Sequence, residues 1–305
     1  MLTSIQAGPV GAPQLVLLHG ITSSAAANWP SIAHWSQRGW RVIALDARGH
    51  GLSPRWQPQQ LLRAGQQLVD DVVEVLEYLQ ATPAPAQNAA PAARPSAPND
   101  QSGLGADSEA SSASESTPAA GFKPILIGHS MGAATAAVVA AQRPDLVSAL
   151  VLEDPACYGT RSHSELLRRG QARANHVNRT LADLPASLAA LLENAGTPGQ
   201  PSAQEALPSL WASQQLDQSL LGTGVVAPEV EFTQLMESIS LPTLLLTGDR
   251  RGEARVGAQL MEQNPHICGQ VMPGAGHQVR RANPQAYYDV VDAFLQTQVP
   301  ASATS

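Results

Sequence analysis

The pentapeptide Gly128-His129-Ser130-Met131-Gly132 places a serine between two glycines. A short apolar run, Pro124–Ile127, precedes it, and an alanine-rich stretch, Ala133–Gln142, follows. In a strand–turn–helix setting this is a G-x-S-x-G nucleophile elbow, where glycines leave room for a backbone bent sharply enough to expose the serine hydroxyl. An unaided serine is a weak nucleophile. It needs a general base, an acid that orients the base, and donors for the developing oxyanion.

Each part has a candidate. Gly274-Ala275-Gly276-His277 follows the last strand-like run, and its glycines allow a tight loop that lowers an imidazole onto the serine. Of the eight histidines, His277 is the best placed as base. His163, His176 and His266 fall in polar segments, His34 on a helix, and His129 inside the elbow, where it packs. Leu17-Leu18-His19-Gly20-Ile21 ends another run in a His-Gly turn. The backbone N–H groups of Ile21 and Met131 are the expected oxyanion-hole donors, which makes His19 a structural residue of the turn. Two aspartates, Asp154 and Asp249, each end a strand-like run, and the residues alone leave both open as the acid. Tyr158 and Trp211 are candidates to line an apolar acyl pocket as substrate-binding residues. No metal or organic cofactor is implied.

These side chains must be positioned by something. Apolar runs alternate with helical patterns, which predicts an α/β fold with a mostly parallel sheet covered on both faces. The predicted strands are Leu15–Leu18, Val42–Asp46, Pro124–Ile127, Ala149–Glu153, Thr243–Thr247 and Gln270–Met272. Helices are predicted at Trp29–Gln37, Leu61–Gln80, Ala133–Gln142, Ala254–Gln263 and Pro284–Gln296. In the second of these, Leu68, Val72, Val75, Leu76 and Leu79 form one apolar stripe.

Two segments break the alternation. Residues 82–121 hold six prolines, twelve alanines and a single large aliphatic, Leu104. Such a stretch buries too little apolar area to offset its ordering entropy, so it is expected to be disordered and remote from the chemistry. Residues 156–241 are rich in helix formers and show no strand pattern, which predicts a helical cap over the carboxyl ends of the strands. The expected core is then 1–81, 122–155 and 242–298.

The chain of 305 residues is 43% hydrophobic, enough for a sizeable core, and its net charge of −7 argues against nucleic acid or an anionic membrane as partner. Cys157 and Cys268 make no disulfide framework and read as core or pocket residues. No apolar run is long enough for a membrane span, and no signal peptide is evident, so a cytoplasmic location is expected. The expected partner is a small-molecule substrate; oligomeric state is not legible.

Taken in order, the motifs resemble the α/β-hydrolase fold superfamily, in its small cap-bearing serine esterase and C–C hydrolase branch. The matching residues are Leu17-Leu18-His19-Gly20, Asp46-Ala47-Arg48-Gly49-His50-Gly51-Leu52-Ser53, Gly128–Gly132, Thr247-Gly248-Asp249 and Gly274–His277. The resemblance implies a helical cap inserted after the sixth strand equivalent, and a loop at 46–53 held by Asp46 and Arg48. It departs in two places. Only 18 residues precede His19, where the superfamily has two strands; Leu2–Ala7 supplies one, and shortened N-terminal strands are expected. The usual Gly-x-x-Asp acid falls on Arg251, which cannot serve. Some members take the acid from the end of the preceding strand, which favours Asp154, with Asp249 as the alternative. The implied activity is hydrolysis of a small carboxylic ester or related acyl substrate through a Ser-His-Asp triad and an acyl-enzyme. C–C bond hydrolase, lactonase, amidase and cofactor-free perhydrolase activities use the same triad, and some members keep the fold as non-catalytic small-molecule binders.

Overall fold

Strands buried on both faces are unbroken apolar runs in which alternate residues serve opposite layers. The computed structural model, which describes residues 1–82, 123–157, 161–248 and 263–298, is built on this rule. β1 (Ser4–Ala7), β2 (Gln14–Leu18), β3 (Arg41–Leu45), β4 (Ile125–His129), β5 (Ala149–Glu153), β6 (Thr243–Gly248) and β7 (Ile267–Met272) form one seven-stranded sheet. Its order is β1-β3-β2-β4-β5-β6-β7, with β1 antiparallel to β3 and every other pairing parallel.

One face of the sheet presents Val16, Leu18, Ile43, Leu45, Leu126 and Leu150 to α3 (Ala64–Ala81), α4 (Met131–Gln142) and α9 (Phe232–Ser238). The other presents Leu15, Leu17, Val42, Ile127 and Val151 to α1 (Trp29–Ser36) and α11 (Pro284–Gln298). Trp35 and Tyr287 are the largest fully buried side chains on that second face. The short α2 (Pro58–Leu61) precedes α3, and α10 (Val279–Ala282) precedes α11. Between β5 and β6 lie α5 (His163–Ala182), α6 (Leu184–Glu193), α7 (Ala203–Gln214) and α8 (Ser219–Thr223), followed by α9. Among the described residues no helix is long and apolar enough to cross a membrane.

Most predicted elements are present, and the differences have physical reasons. The helix expected over Leu61–Gln80 is broken, because Leu62 and Arg63 separate α2 from α3 and Leu62 faces solvent. β7 starts at Ile267, three residues earlier than the apolar pattern suggested. Among the described residues it pairs with β6 alone, and it exposes Cys268 and Gln270, so its first half carries no apolar run. Cys268 is accordingly an exposed thiol on an edge strand rather than a core residue, whereas Cys157 is buried. The predicted helix Ala254–Gln263 falls almost wholly outside the described residues, as does the 82–121 segment apart from Thr82.

α4 decides where Ser130 sits, because it packs directly on the strands it follows. Its alanines are buried on nearly every side, and small side chains let the helix come close. At Gly132 the approach is tightest: a Cβ there would lie 2.2 Å from the carbonyl oxygen of Leu18. Backbone at that distance cannot yield as a side-chain tip does. Gly132→Ala is expected to lower stability by at least about 3 kcal/mol, the upper range for overpacking, read as the urea midpoint. An unchanged midpoint would show that α4 slides freely on β2.

Candidate active site

The strand ladder runs on into the candidate nucleophile. Gly128 and His129 pair with Leu152 and Glu153, and the next N–H, that of Ser130, donates to the Glu153 carbonyl at 2.9 Å. Ser130 itself is held at φ 53°, ψ −111°, backbone that L-residues enter only when their surroundings over-determine it. α4 begins at the following residue. One strand over, the Asp154 N–H donates to the Leu246 carbonyl at 2.8 Å, continuing the same ladder towards β6. Asp154 also has positive φ, 39°, and is 1% exposed. Two neighbouring strands therefore end in bent residues whose side chains stand side by side.

His277 bridges them. Its Nδ1 lies 2.5 Å from Asp154 Oδ2 and its Nε2 lies 2.8 Å from Ser130 Oγ. A carboxylate can only accept, so Nδ1 carries the proton and Nε2 is left to accept from the serine hydroxyl. The loop that brings His277 there is tied down twice. His129 Nε2–H donates to the His277 carbonyl at 3.0 Å, and the Arg280 N–H donates to the buried Glu153 carboxylate at 2.9 Å. His129 and Glu153 thus anchor the loop from the strand below. Sequence reasoning gave His129 a packing role and passed over Glu153, whose one visible signal was a carboxylate inside a buried strand.

The expected oxyanion turn stands on a second histidine. His19 Nε2 accepts the Ala47 N–H at 3.0 Å, so its proton sits on Nδ1, which donates to the Gly20 carbonyl at 2.8 Å. Among the described residues neither the Ile21 nor the Met131 N–H is committed to a backbone acceptor. Asp46 accepts from the N–H groups of Ala25 and Leu52, and Arg48 makes a two-pronged ion pair with Asp71 at 2.7 Å on each arm. Both residues hold the 46–53 loop as the resemblance implied.

Above Ser130 and His277 opens a cavity of about 620 Å³, walled by α5, α6 and α7 and by the Ile21 turn. Its wall is largely polar. Trp211 is not part of it: the side chain is 52% exposed on the outer face of α7. One helical step of about 100° separates it from Leu210, which is buried and lines the cavity. The expected contribution of Trp211 to an acyl pocket is thereby corrected. Tyr158 and Asp249 lie outside the described residues.

Behind the cavity wall, where Arg280 and Arg281 line it, lies a charge cluster that the sequence did not suggest. Glu205 of α7 accepts from Arg280 at 2.6 Å and from Arg281 at 3.1 Å, and all three are largely buried. Burial pushes the Glu205 carboxyl up, but the two guanidiniums outweigh it and hold its pKa at about 2.

Two predictions follow from this geometry. Ser130→Gly should be more stable than Ser130→Ala by about 1 kcal/mol, since both lose the hydroxyl but glycine alone relaxes the positive φ. Equal denaturation midpoints would remove the strain argument. The second concerns pH. Burial pushes the pKa values of His19, His50 and His129 below the ordinary 6.5, that of His50 to about 3 with the nearby His19 adding to the effect. The unfolded chain then takes up protons that the folded chain refuses, so stability is full above about pH 6.5 and is lost as pH falls below it; His50 alone accounts for about 2 kcal/mol by pH 5. Urea midpoints at pH 7.5 and 5 measure the drop, and His50→Asn should flatten it.

The chain matches the family model described as "Alpha/beta hydrolase family" over residues 15–290. It is 27% identical to the sn-1-specific diacylglycerol lipase ABHD11 of Mus musculus, covering 94% of this chain and 82% of the mouse protein. It is 26% identical to the 2-(acetamidomethylene)succinate hydrolase of Mesorhizobium japonicum, covering 93% and 88% of the two chains. Among solved structures, E-2-(acetamidomethylene)succinate hydrolase superposes with a TM-score of 0.60 at 19% identity, over 97% of this chain and all of that one. The enol-lactonase of Burkholderia xenovorans LB400 does so with a TM-score of 0.60 at 16% identity, over 97% and 96%. With the family model spanning nine-tenths of its length and the sheet order, elbow and histidine loop in place, the chain belongs to the α/β hydrolase family.

Proposed function

We propose that this hydrolase cleaves a small carboxylic ester or related acyl substrate with Ser130 as nucleophile, His277 as base and Asp154 as the orienting acid. The observation that carries the reading is the unbroken Asp154–His277–Ser130 hydrogen-bond relay, at 2.5 and 2.8 Å. Ser130 Oγ attacks the substrate carbonyl carbon and its proton passes to His277 Nε2. Asp154 holds the Nδ1 proton and stabilises the imidazolium that results. The Ile21 and Met131 amides receive the oxyanion. His277 then protonates the leaving group, and water, deprotonated by the same nitrogen, releases the acid from the acyl-enzyme.

In this reading α5–α8 form a cap that sets what reaches the triad, and residues 156–241 act as a unit distinct from the core of 1–81, 122–155 and 242–298. Supporting it is the cavity itself, whose wall combines Ser130 and His277 with side chains of α5, α6 and α7.

Ser130→Ala should abolish labelling by a fluorophosphonate probe and cut turnover of short p-nitrophenyl esters by about 10³-fold or more. Labelling that persists in this variant would reassign the nucleophile. Asp154→Asn should lower kcat by several orders of magnitude in a folded protein, because the imidazole loses its tautomer. Asp249→Asn made in parallel is the control: collapse there, with Asp154→Asn active, would move the acid to Asp249.

A further inference from the structure

Among the described residues, three that are not glycine hold a positive φ: Ser130 at 53°, Asp154 at 39° and Thr22 at 44°. The first two are candidate triad residues. Thr22 lies in the Ile21 turn, on the wall of the same cavity. The Ser23 N–H donates to the Gly20 carbonyl at 3.1 Å, which closes a four-residue turn with Thr22 in third place. A turn with positive φ at that place and not at the second is type II, and its third residue is ordinarily glycine or asparagine. A β-branched residue there is strained by crowding at its Cβ, and glycine would relieve it.

The same segment breaks a second local rule. Asn28 occupies the N-cap of α1, where an asparagine side chain ordinarily accepts from the amides of the first helical turn. Here it makes no capping bond and lines the cavity instead. Among the described residues neither the Thr22 hydroxyl nor the Asn28 side-chain amide has a hydrogen-bond partner in the protein, and both residues are half-buried. Local preferences are overridden where another demand is stronger, and both overrides fall on the segment that carries the Ile21 amide. What threonine adds over glycine at 22 is a Cβ bearing a methyl and a hydroxyl. What an asparagine that does not cap adds at 28 is an amide. The guanidiniums of this wall are engaged within the protein, Arg280 and Arg281 by Glu205 and Arg161 by Glu165, so these neutral groups are the ones left to meet a ligand.

We infer that Thr22 and Asn28 form a subsite for an uncharged hydroxyl of the substrate, and that Thr22 is kept in strained backbone to present its own hydroxyl there. The inference rests on the hydrolase reading for what the substrate is, whereas the unspent pair stands on the turn and cap geometry. Threonine and asparagine side chains both donate and accept, and a hydroxyl does both at one atom. Such a subsite discriminates against an analogue that lacks the hydroxyl, because the two protein groups then lose water and gain no partner.

Two pairs of esters, each differing by one hydroxyl, test both sides of the scissile bond. The acyl side is read by p-nitrophenyl butyrate against p-nitrophenyl 3-hydroxybutyrate, the alcohol side by ethyl butyrate against 2-hydroxyethyl butyrate. In at least one pair kcat/KM should favour the hydroxylated ester by about fivefold or more, the worth of one net hydrogen bond. That ratio should fall towards one in Thr22→Val, which removes the hydroxyl and keeps the branched Cβ, and in Thr22→Gly. Asn28→Ala should reduce it, and Thr22→Ser, which keeps the hydroxyl, should retain it. Of the valine and glycine variants, Thr22→Gly should unfold at the higher urea concentration, because it alone relaxes the turn. Ratios near one in both pairs, or a preference that survives Thr22→Val, would overturn the subsite while fluorophosphonate labelling of Ser130 kept the hydrolase reading intact. Equal urea midpoints would overturn the strained presentation of Thr22. A parent protein that is neither labelled nor active on any of the four esters would overturn the hydrolase reading and the subsite with it.

Discussion

Two adjacent parallel strands, β4 and β5, end level with one another, and the hydrogen bonds that level them against each other and against β6 continue past their ends into Ser130 and Asp154. Ser130 donates to Glu153 and Asp154 donates to Leu246, so the candidate nucleophile and the candidate acid are successive rungs of one ladder. Neighbouring strands lie about 4.8 Å apart, a gap that a single imidazole can span. A slip of one residue in either pairing would turn one side chain to the opposite face of the sheet and leave His277 with one partner. The apolar register of β4, β5 and β6 is thus also the geometry of the site. Core packing and positioning of the relay are one constraint here, not two.

Around that ladder the protein spends buried polar groups on holding loops rather than on reacting. His19 locks the Ile21 turn through both ring nitrogens, His129 holds the loop of its fellow histidine, and Asp46 ties two turns to a strand end. Each such group would be expensive if left unpaired, so each bond removes an alternative loop conformation. Neutral imidazole is essential to the arrangement, because a second proton on His19 would displace the Ala47 amide it accepts. These bonds keep the Ile21 turn and the His277 ring at fixed separations.

Much of this was legible in the sequence because local chemistry and global fold agree. The runs at 15–18 and 149–153 are strands since nothing else buries Val, Ile and Leu on both faces, and the elbow glycines admit a turn that little else would fit. The residues that escaped notice are those whose role is a long-range contact. Glu205, Arg280 and Glu153 meet across 75 and 127 positions of chain, and no local pattern encodes that meeting. Trp211 misled for the opposite reason: an aromatic in a polar helix suggests a pocket, but the phase of α7 is set by Leu210 and Ala206, which are buried. β7 was read short because an edge strand needs apolar residues on one side alone.

A largely polar wall acts on what leaves as well as on what enters. In the proposed reaction, release of the acyl group from Ser130 creates a carboxylate where the substrate had a neutral carbonyl, beside guanidiniums carried on a helix that is packed backbone to backbone against α8. On that reading the difficulty moves downstream, from proton transfer at His277 to the departure of the product.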